Sequence, residues 1–272
     1  MNSSRFITGI FNYCDYWCER CAFTQRCRNF AMGKEEEQEA AGASDATDAT
    51  CKAFWNKLAS KLRETAVVGE AEEWRDADLP EPEPDMDIES EAREEARRKT
   101  VQIHPLVVLA QTYLEKSSAW LKTSDDDLKQ VAEGLLQSAR SPFGGGDAEE
   151  QAREIGDLIE IVTWYHTLIP PKLARAVSGL TEVNLAGDEV GRILKASRRE
   201  DANGTGKLAL VSIERSLAAW IRLREIVPNQ EDAILEMLSL LSQLQHGIHA
   251  TLPGVKAFIR PGFDEAGSRN NR

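Results

Sequence analysis

Cys14, Cys18, Cys21 and Cys27 fall within fourteen residues as Cys-x3-Cys-x2-Cys-x5-Cys, and only Cys51 lies outside the group. Thiolates this crowded hold an inorganic centre or pair as disulfides. The first residues contain no apolar run of signal-peptide length, and no later stretch approaches the ~20 apolar residues of a membrane span. The chain is therefore expected in the cytoplasm, where thiols stay reduced and metal binding outcompetes disulfide formation.

A tetrahedral zinc with Zn–S near ~2.3 Å brings its sulfurs within roughly 4 Å of each other, usually from two Cys-x2-Cys turns joined across a longer loop. This chain has one such turn, Cys18 to Cys21, with Cys14 and Cys27 on either side. An iron–sulfur cube presents wider-spaced corners, and compact cysteine runs serve it. The expected cofactor is a [4Fe-4S] cluster held by Cys14, Cys18, Cys21 and Cys27, with zinc as the alternative and free or redox-active thiols as the third possibility. Arg20, Arg26 and Arg28 would offset the thiolate charge, and Phe11, Tyr13, Tyr16, Trp17, Phe23 and Phe30 would form a dry shell.

The elements that must position this centre are helical. From His104 onward, apolar residues recur at helical spacing without alternating strands or internal repeats, so the predicted fold class is all-α: a helical bundle of four main helices, with an N-terminal cysteine-rich metal module and an acidic linker. The first stripe is Leu106, Leu109, Ala110, Tyr113, Ser117 and Trp120. The second starts near Asp147 and carries Ile155, Leu158, Ile159, Val162, His166 and Ile169, until Pro170-Pro171 should bend or break it, leaving Lys172 to Val177 as a short extension. The third starts near Thr205, after the turn-prone Asp201-Ala-Asn-Gly-Thr-Gly206, and is stopped by Pro228. The fourth carries Ile234, Met237, Leu238, Leu241, Leu244, Gln245 and Ile248. Weaker helices are expected near Ser124 to Gln137 and Asp188 to Arg199.

The predicted domains are a metal-binding module over 1–33, an acidic, largely disordered linker over 34–103 with one amphipathic helix at 51–73, the bundle over 104–265, and a frayed tail at 266–272. Of the net charge of −12, most belongs to the linker, which carries 20 acidic and 10 basic side chains. That balance excludes non-specific nucleic-acid binding by the whole surface, since phosphate affinity needs clustered Lys and Arg. Only the basic, aromatic first thirty residues retain that option.

Two resemblances rest on these residues. Cys18-Glu-Arg-Cys21-Ala-Phe-Thr-Gln-Arg-Cys27 resembles the Cys-x2-Cys-x5-Cys iron–sulfur segment of RecB-like nucleases and of auxiliary-cluster domains in radical enzymes. It covers ten residues, and no nuclease core accompanies it. The whole chain resembles a family of uncharacterised bacterial proteins that join a Trp-Cys-Glu-Arg-Cys-x-Phe-Thr-x-Arg-Cys segment (Trp17 to Cys27) through an acidic linker to a helical domain. That domain has a Trp-Tyr pair before Ile-Pro (Trp164, Tyr165, Ile169, Pro170) and ends in Arg-Pro-Gly-Phe-Asp-Glu (Arg260 to Glu265). This second resemblance implies architecture and no activity. Cys14-x3-Cys18-x2-Cys21 also has the spacing of radical S-adenosylmethionine enzymes, but those resemble strand–helix barrels and place an aromatic where this chain has Arg20.

Other polar residues have simpler readings. His166, Gln245 and Ser117 lie on apolar stripes and would form a polar layer able to bind a small ligand, although a buried histidine satisfied by one neighbour is the plainer reading. His246 and His249 stand three apart without an obvious third ligand. Asn203-Gly-Thr-Gly206 would place amide donors at a helix start, yet it lacks the Lys-Ser/Thr of a phosphate loop and reads as a turn and cap. The expected function is a metal- or iron–sulfur-binding interaction or regulatory protein with a protein partner. A redox enzyme passing electrons from the cluster to the bundle, and a nucleic-acid-binding module, are the alternatives.

Overall fold

A computed structural model describes residues 5–42, 84–139, 147–181 and 189–265, and within them the chain is all-helical, with no strand. Seven α-helices follow three short 3₁₀ turns: α1 (Arg28–Gly42), α2 (Pro84–Gln102), α3 (Pro105–Thr123), α4 (Asp125–Ala139), α5 (Asp147–Thr181), α6 (Glu189–Ile226) and α7 (Glu231–Thr251). The expected helix at 51–73, Cys51 and the tail from 266 lie outside the described residues.

Helix α3 packs on α5 and α7, and α6 packs on the same two helices, so the four close a ring around one core. Helices α2 and α4 lie against α5 from outside the ring. The core takes Leu106, Tyr113 and Trp120 from α3, Val162, Ile169 and Leu173 from α5, Ile213, Trp220 and Leu223 from α6, and Ile234, Leu241 and Ile248 from α7. Trp220 is fully buried, meets Trp120 edge to face at 4.8 Å, and donates its indole N–H to the Tyr113 hydroxyl at 3.1 Å. That bond removes the cost of a dry indole donor.

Local signals fix the helix starts. The His104 ring accepts the Leu106 amide at 3.3 Å, with Pro105 in the first turn, where its missing N–H is harmless. Asp125, Asp126 and Asp127 open α4, where carboxylates oppose the positive end of the helix dipole.

In three places the fold departs from the sequence reading. Pro170 and Pro171 sit inside α5 without ending it. Ile169, Leu173, Ala176 and Val177 around them are all buried, and that burial outweighs the lost backbone bonds. The expected turn at 201–206 is interior helix, so α6 is continuous for 38 residues and absorbs the predicted short helix before it. Its glycines serve close packing: a Cβ on Gly204 would lie 2.4 Å from the Tyr13 ring and 2.7 Å from Phe258, and one on Gly206 would lie 2.5 Å from Leu252. An anion-binding turn is thereby excluded at Asn203-Gly-Thr-Gly206.

The third departure concerns the acidic region. The stretch after Met32 continues α1 to Gly42, and residues from Pro84 form α2. Helix α2 has little apolar surface, but Glu94 pairs with Arg97 and Arg98, and Glu95 with Lys99, at three- and four-residue spacing. Val101 is buried, and Arg97 donates to Ser178 of α5 at 2.9 Å. Such pairs add about 0.2–0.5 kcal/mol each, so the tie to α5 is what gives α2 a fixed place.

Candidate metal centre

Three 3₁₀ turns, Ile10–Tyr13, Cys18–Arg20 and Thr24–Arg26, shape the cysteine segment. Cys14, Cys21 and Cys27 each follow a turn in extended backbone, and Cys18 opens the second turn. Three-residue turns reverse the chain over a short distance, so ligands close in sequence are re-aimed instead of being spread along a helix. All four cysteines consequently line one small cleft with about 20 Å³ of free space, partly open to solvent. Ile10, Trp17, Phe23, Phe30 and Phe263 supply much of its apolar wall.

Amide donors point at two of the sulfurs. The Phe23 N–H donates to Cys21 Sγ at 3.4 Å, and the Tyr16 N–H bonds the Cys14 sulfur in the same two-residues-on relation. Tyr16 reaches this geometry with φ of +58°, a left-handed conformation that costs a non-glycine residue about 1–2 kcal/mol. Burial pushes the thiols of Cys14, Cys18 and Cys21 above their ordinary value, and neighbouring acidic groups and thiols add to the effect. Without a cation these three sulfurs are protonated; a bound metal would displace those protons.

The cations that face the thiols come from the helices. Lys172 of α5 lies near Cys14, and Arg215 of α6 near Cys21. Lys172 also sits 4.5 Å over the Tyr16 ring, and burial pushes its pKa down. Arg20, expected to offset thiolate charge, turns away to Asp157 at 2.7 Å and to Glu160, while its guanidinium covers the Trp17 ring at 4.4 Å. The useful charges lie some 150 to 200 residues away in sequence, where no local spacing reveals them.

Asp15 fastens the segment to the body. Its carboxylate accepts from the Tyr165 hydroxyl at 2.8 Å, from Arg215 Nη1 at 2.6 Å and from the Trp17 amide at 3.3 Å, while its carbonyl accepts the Trp164 indole N–H at 2.9 Å. Arg215 also donates to the Tyr165 oxygen. Burial is the main cause that pushes the Tyr165 phenol up to about 12. Trp17 stacks on Trp164 at 5.1 Å and meets Tyr165 edge-on at 5.9 Å.

The C-terminal Arg-Pro-Gly-Phe-Asp-Glu closes the other side. Arg260, only 4% exposed, binds Asp264 through its backbone amide and two guanidinium nitrogens at 2.9–3.0 Å. Burial works against the Asp264 carboxylate, but these bonds win and hold its pKa below the usual value. Gly262, at φ +76°, allows Ile10 to approach where a Cβ would meet it at 2.9 Å. Phe263 then meets Phe23, and Phe258 meets Tyr13, both edge to face near 5 Å. The two phenylalanines thus cover the cysteine segment, and Phe258 also lies against Gly204 of α6.

Four sulfurs line the cavity beside Asp15, Tyr16 and Thr24, with amide donors and an apolar wall of the kind a thiolate-held group uses. Among the described residues, no three Cys, His, Asp or Glu side chains converge tightly enough to grip a single ion. His166 is buried on α5 with Nδ1 3.2 Å from the Ser117 hydroxyl, which itself donates to the Tyr113 carbonyl at 2.6 Å. Burial lowers its pKa, so it is neutral at pH 7. Gln245 is half-buried on α7. The two cavities at the cysteine end are lined by neither residue. His246 Nδ1 bonds the Ser242 carbonyl of its own helix at 3.0 Å.

No family model, curated protein or solved structure matches this chain. Among the described residues, no helix is long and apolar enough to cross a membrane.

Proposed function

We propose that this chain is an iron–sulfur-binding protein: a cysteine-rich module, in which Cys14, Cys18, Cys21 and Cys27 hold a [4Fe-4S] cluster, seated on a bundle of four main helices. The observation that carries the reading is the shared cavity lined by all four thiols. The spacing, one Cys-x2-Cys turn with Cys14 and Cys27 on either side, favours the separated corners of a cube over zinc, whose sulfurs sit roughly 4 Å apart. Such a group would supply a redox-active or oxygen-sensitive centre with no position left open for substrate. That favours an interaction or regulatory role in the cytoplasm, with a protein partner, and it agrees with the resemblance to the bacterial family sharing the Trp17–Cys27 segment. Nucleic-acid binding is disfavoured because Arg20 is already paired with carboxylates.

A redox enzyme is the second reading, supported by a further cavity that shares Cys21 with the thiol cavity. Its electron acceptor would sit there and not near His166 and Gln245.

Anaerobic isolation of the full chain, with iron, zinc and sulfide analysis, tests the proposal. The expected result is about four iron and four sulfide per chain with absorbance near ~400 nm, lost in Cys18→Ser while far-UV ellipticity is unchanged. Stoichiometric zinc without sulfide would replace the cluster by zinc. Full metal content in Cys18→Ser would remove this ligand set.

A further inference from the structure

Next to the thiol cavity lies a larger one of about 470 Å³, bounded on one side by the cysteine segment and on the other by α5 and α6. Trp17, Cys21 and Phe23 line both. Well-packed interiors leave few voids larger than a water molecule, whereas small-molecule sites run to roughly 300–1,000 Å³, so this space belongs with the second kind. Small side chains make the room: Ala22 on the segment side, and Ala218 and Ala219 on α6, stand where leucines would fill it. Leu158 and Ile161 of α5 complete an apolar surface facing the Trp17 and Phe23 side.

The polar groups of this cavity are unequally satisfied. Both oxygens of Asp15 are engaged, Oδ1 by the Trp17 amide and Oδ2 by Tyr165 and Arg215. Arg20 bonds through Nη2 alone, but two carboxylates, Asp157 and Glu160, offset its charge, whereas Arg215 faces only Asp15. Arg215 makes both of its hydrogen bonds through Nη1, so Nε and Nη2 have no protein partner among the described residues. A lining whose acceptors are used and whose guanidinium keeps spare donors selects an anion, and a planar fork of N–H groups fits a carboxylate or sulfonate in particular. A cationic ligand would meet a carboxylate, Asp15, that is already paired with Arg215.

We infer that the cavity between the cysteine segment and α5–α6 is a binding site for a small molecule with a flat apolar body and one anionic group, the body lying against Trp17, Phe23 and the alanines and the anion on Arg215. The site stands whatever the thiols hold, so its failure and that of the cluster reading are separable by metal analysis of the same sample.

The test titrates the full-chain protein with 8-anilinonaphthalene-1-sulfonate and with its uncharged relative N-phenyl-1-naphthylamine, reading fluorescence. One saturable site per chain is expected for each probe. Ala218→Leu, on an exposed part of α6 away from the Asp15 bonds, should weaken both probes by about tenfold or more with unchanged ellipticity. Arg215→Gln should weaken the sulfonate by about tenfold and the uncharged probe by less than about twofold. Absence of saturable binding, or an Ala218→Leu variant that binds as tightly as the parent, overturns the site. Equal losses for both probes in Arg215→Gln overturn the anionic assignment.

Discussion

From Leu106 to Ile248 the ring of helices buries side chain after side chain at helical spacing, whereas between Arg5 and Cys27 only Ile10 and Trp17 are buried. Of those two, Trp17 belongs to the core of the helical body. The body is held by removal of apolar surface from water, a force that needs no particular partner. The cysteine segment is too short to build a core, and it is held at points: three bonds from the body to Asp15, the Trp17–Trp164 stack, and Phe263 of the clamped tail against Phe23. Small units of this kind depend on staples. Damage to the body should therefore destroy both regions, while damage to the attachments should release the segment alone.

The largest expected effect comes from the body. Trp220→Ala removes a fully buried ring together with its bond to Tyr113, and should cost about 3–5 kcal/mol. Urea unfolding followed by far-UV ellipticity should show the loss, and the same variant should lose protection of the cysteine segment against protease. If the segment stayed protected after the body had unfolded, the dependence would run the other way.

Asp15→Ala is the counterpart in the segment. It removes three hydrogen bonds to a charged carboxylate and leaves Arg215 and Tyr165 bonded only to each other. The expected penalty is about 2–3 kcal/mol, confined to docking. Limited proteolysis should cut between Arg5 and Arg28 while ellipticity and the main unfolding transition persist. A fall of the whole transition by that amount would mean that Asp15 supports the body itself.

This division also explains what could be read in the amino-acid sequence. The apolar stripes of α3, α5, α6 and α7 were legible because burial imposes a period, and so was the cysteine spacing. The docking of the segment was not: Asp15, Lys172 and Arg215 are ordinary charged residues, and their roles arise from contacts across as many as 200 positions. Glycines misled for a related reason. Gly204 and Gly206 read as a turn, because in a sequence a glycine needed for close approach looks the same as one needed for conformational freedom. Helix α2 was hidden by its charge, since its order rests on paired carboxylates and guanidiniums and on one tie to Ser178.

Gly204→Ala sharpens the comparison from inside the body. An added methyl would meet Tyr13 at 2.4 Å and Phe258 at 2.7 Å, rings that belong to the segment and the tail and not to the core. Alanine is also the better helix former, by about 1 kcal/mol. The isolated effect on the body is thus favourable, and the effect on docking unfavourable by about 1–3 kcal/mol. The two signs separate in hydrogen exchange: amides of α6 should be at least as protected as in the parent, and those of the segment less so. Uniform loss of protection would show that Gly204 serves the core.

Arg20→Ala should have the smallest effect, although Arg20 makes two ion pairs and covers an indole. Its side chain is 39% exposed, with partners Asp157 and Glu160 at 63% and 55%. Exposed pairs contribute about 0–1 kcal/mol because water already solvates both charges and ordering the long side chain costs entropy. The contact over Trp17 adds about 0.5–1 kcal/mol. Docking should weaken by roughly 1 kcal/mol in total at low salt, and the ion-pair share should shrink in 1 M salt, where charges are screened within about 3 Å. The Asp15 deficit, carried by a carboxylate only 18% exposed, should persist at that ionic strength. Protease protection measured for both variants at both salt concentrations reads the difference, and equal salt sensitivity would place Asp15 and Arg20 in the same class of attachment.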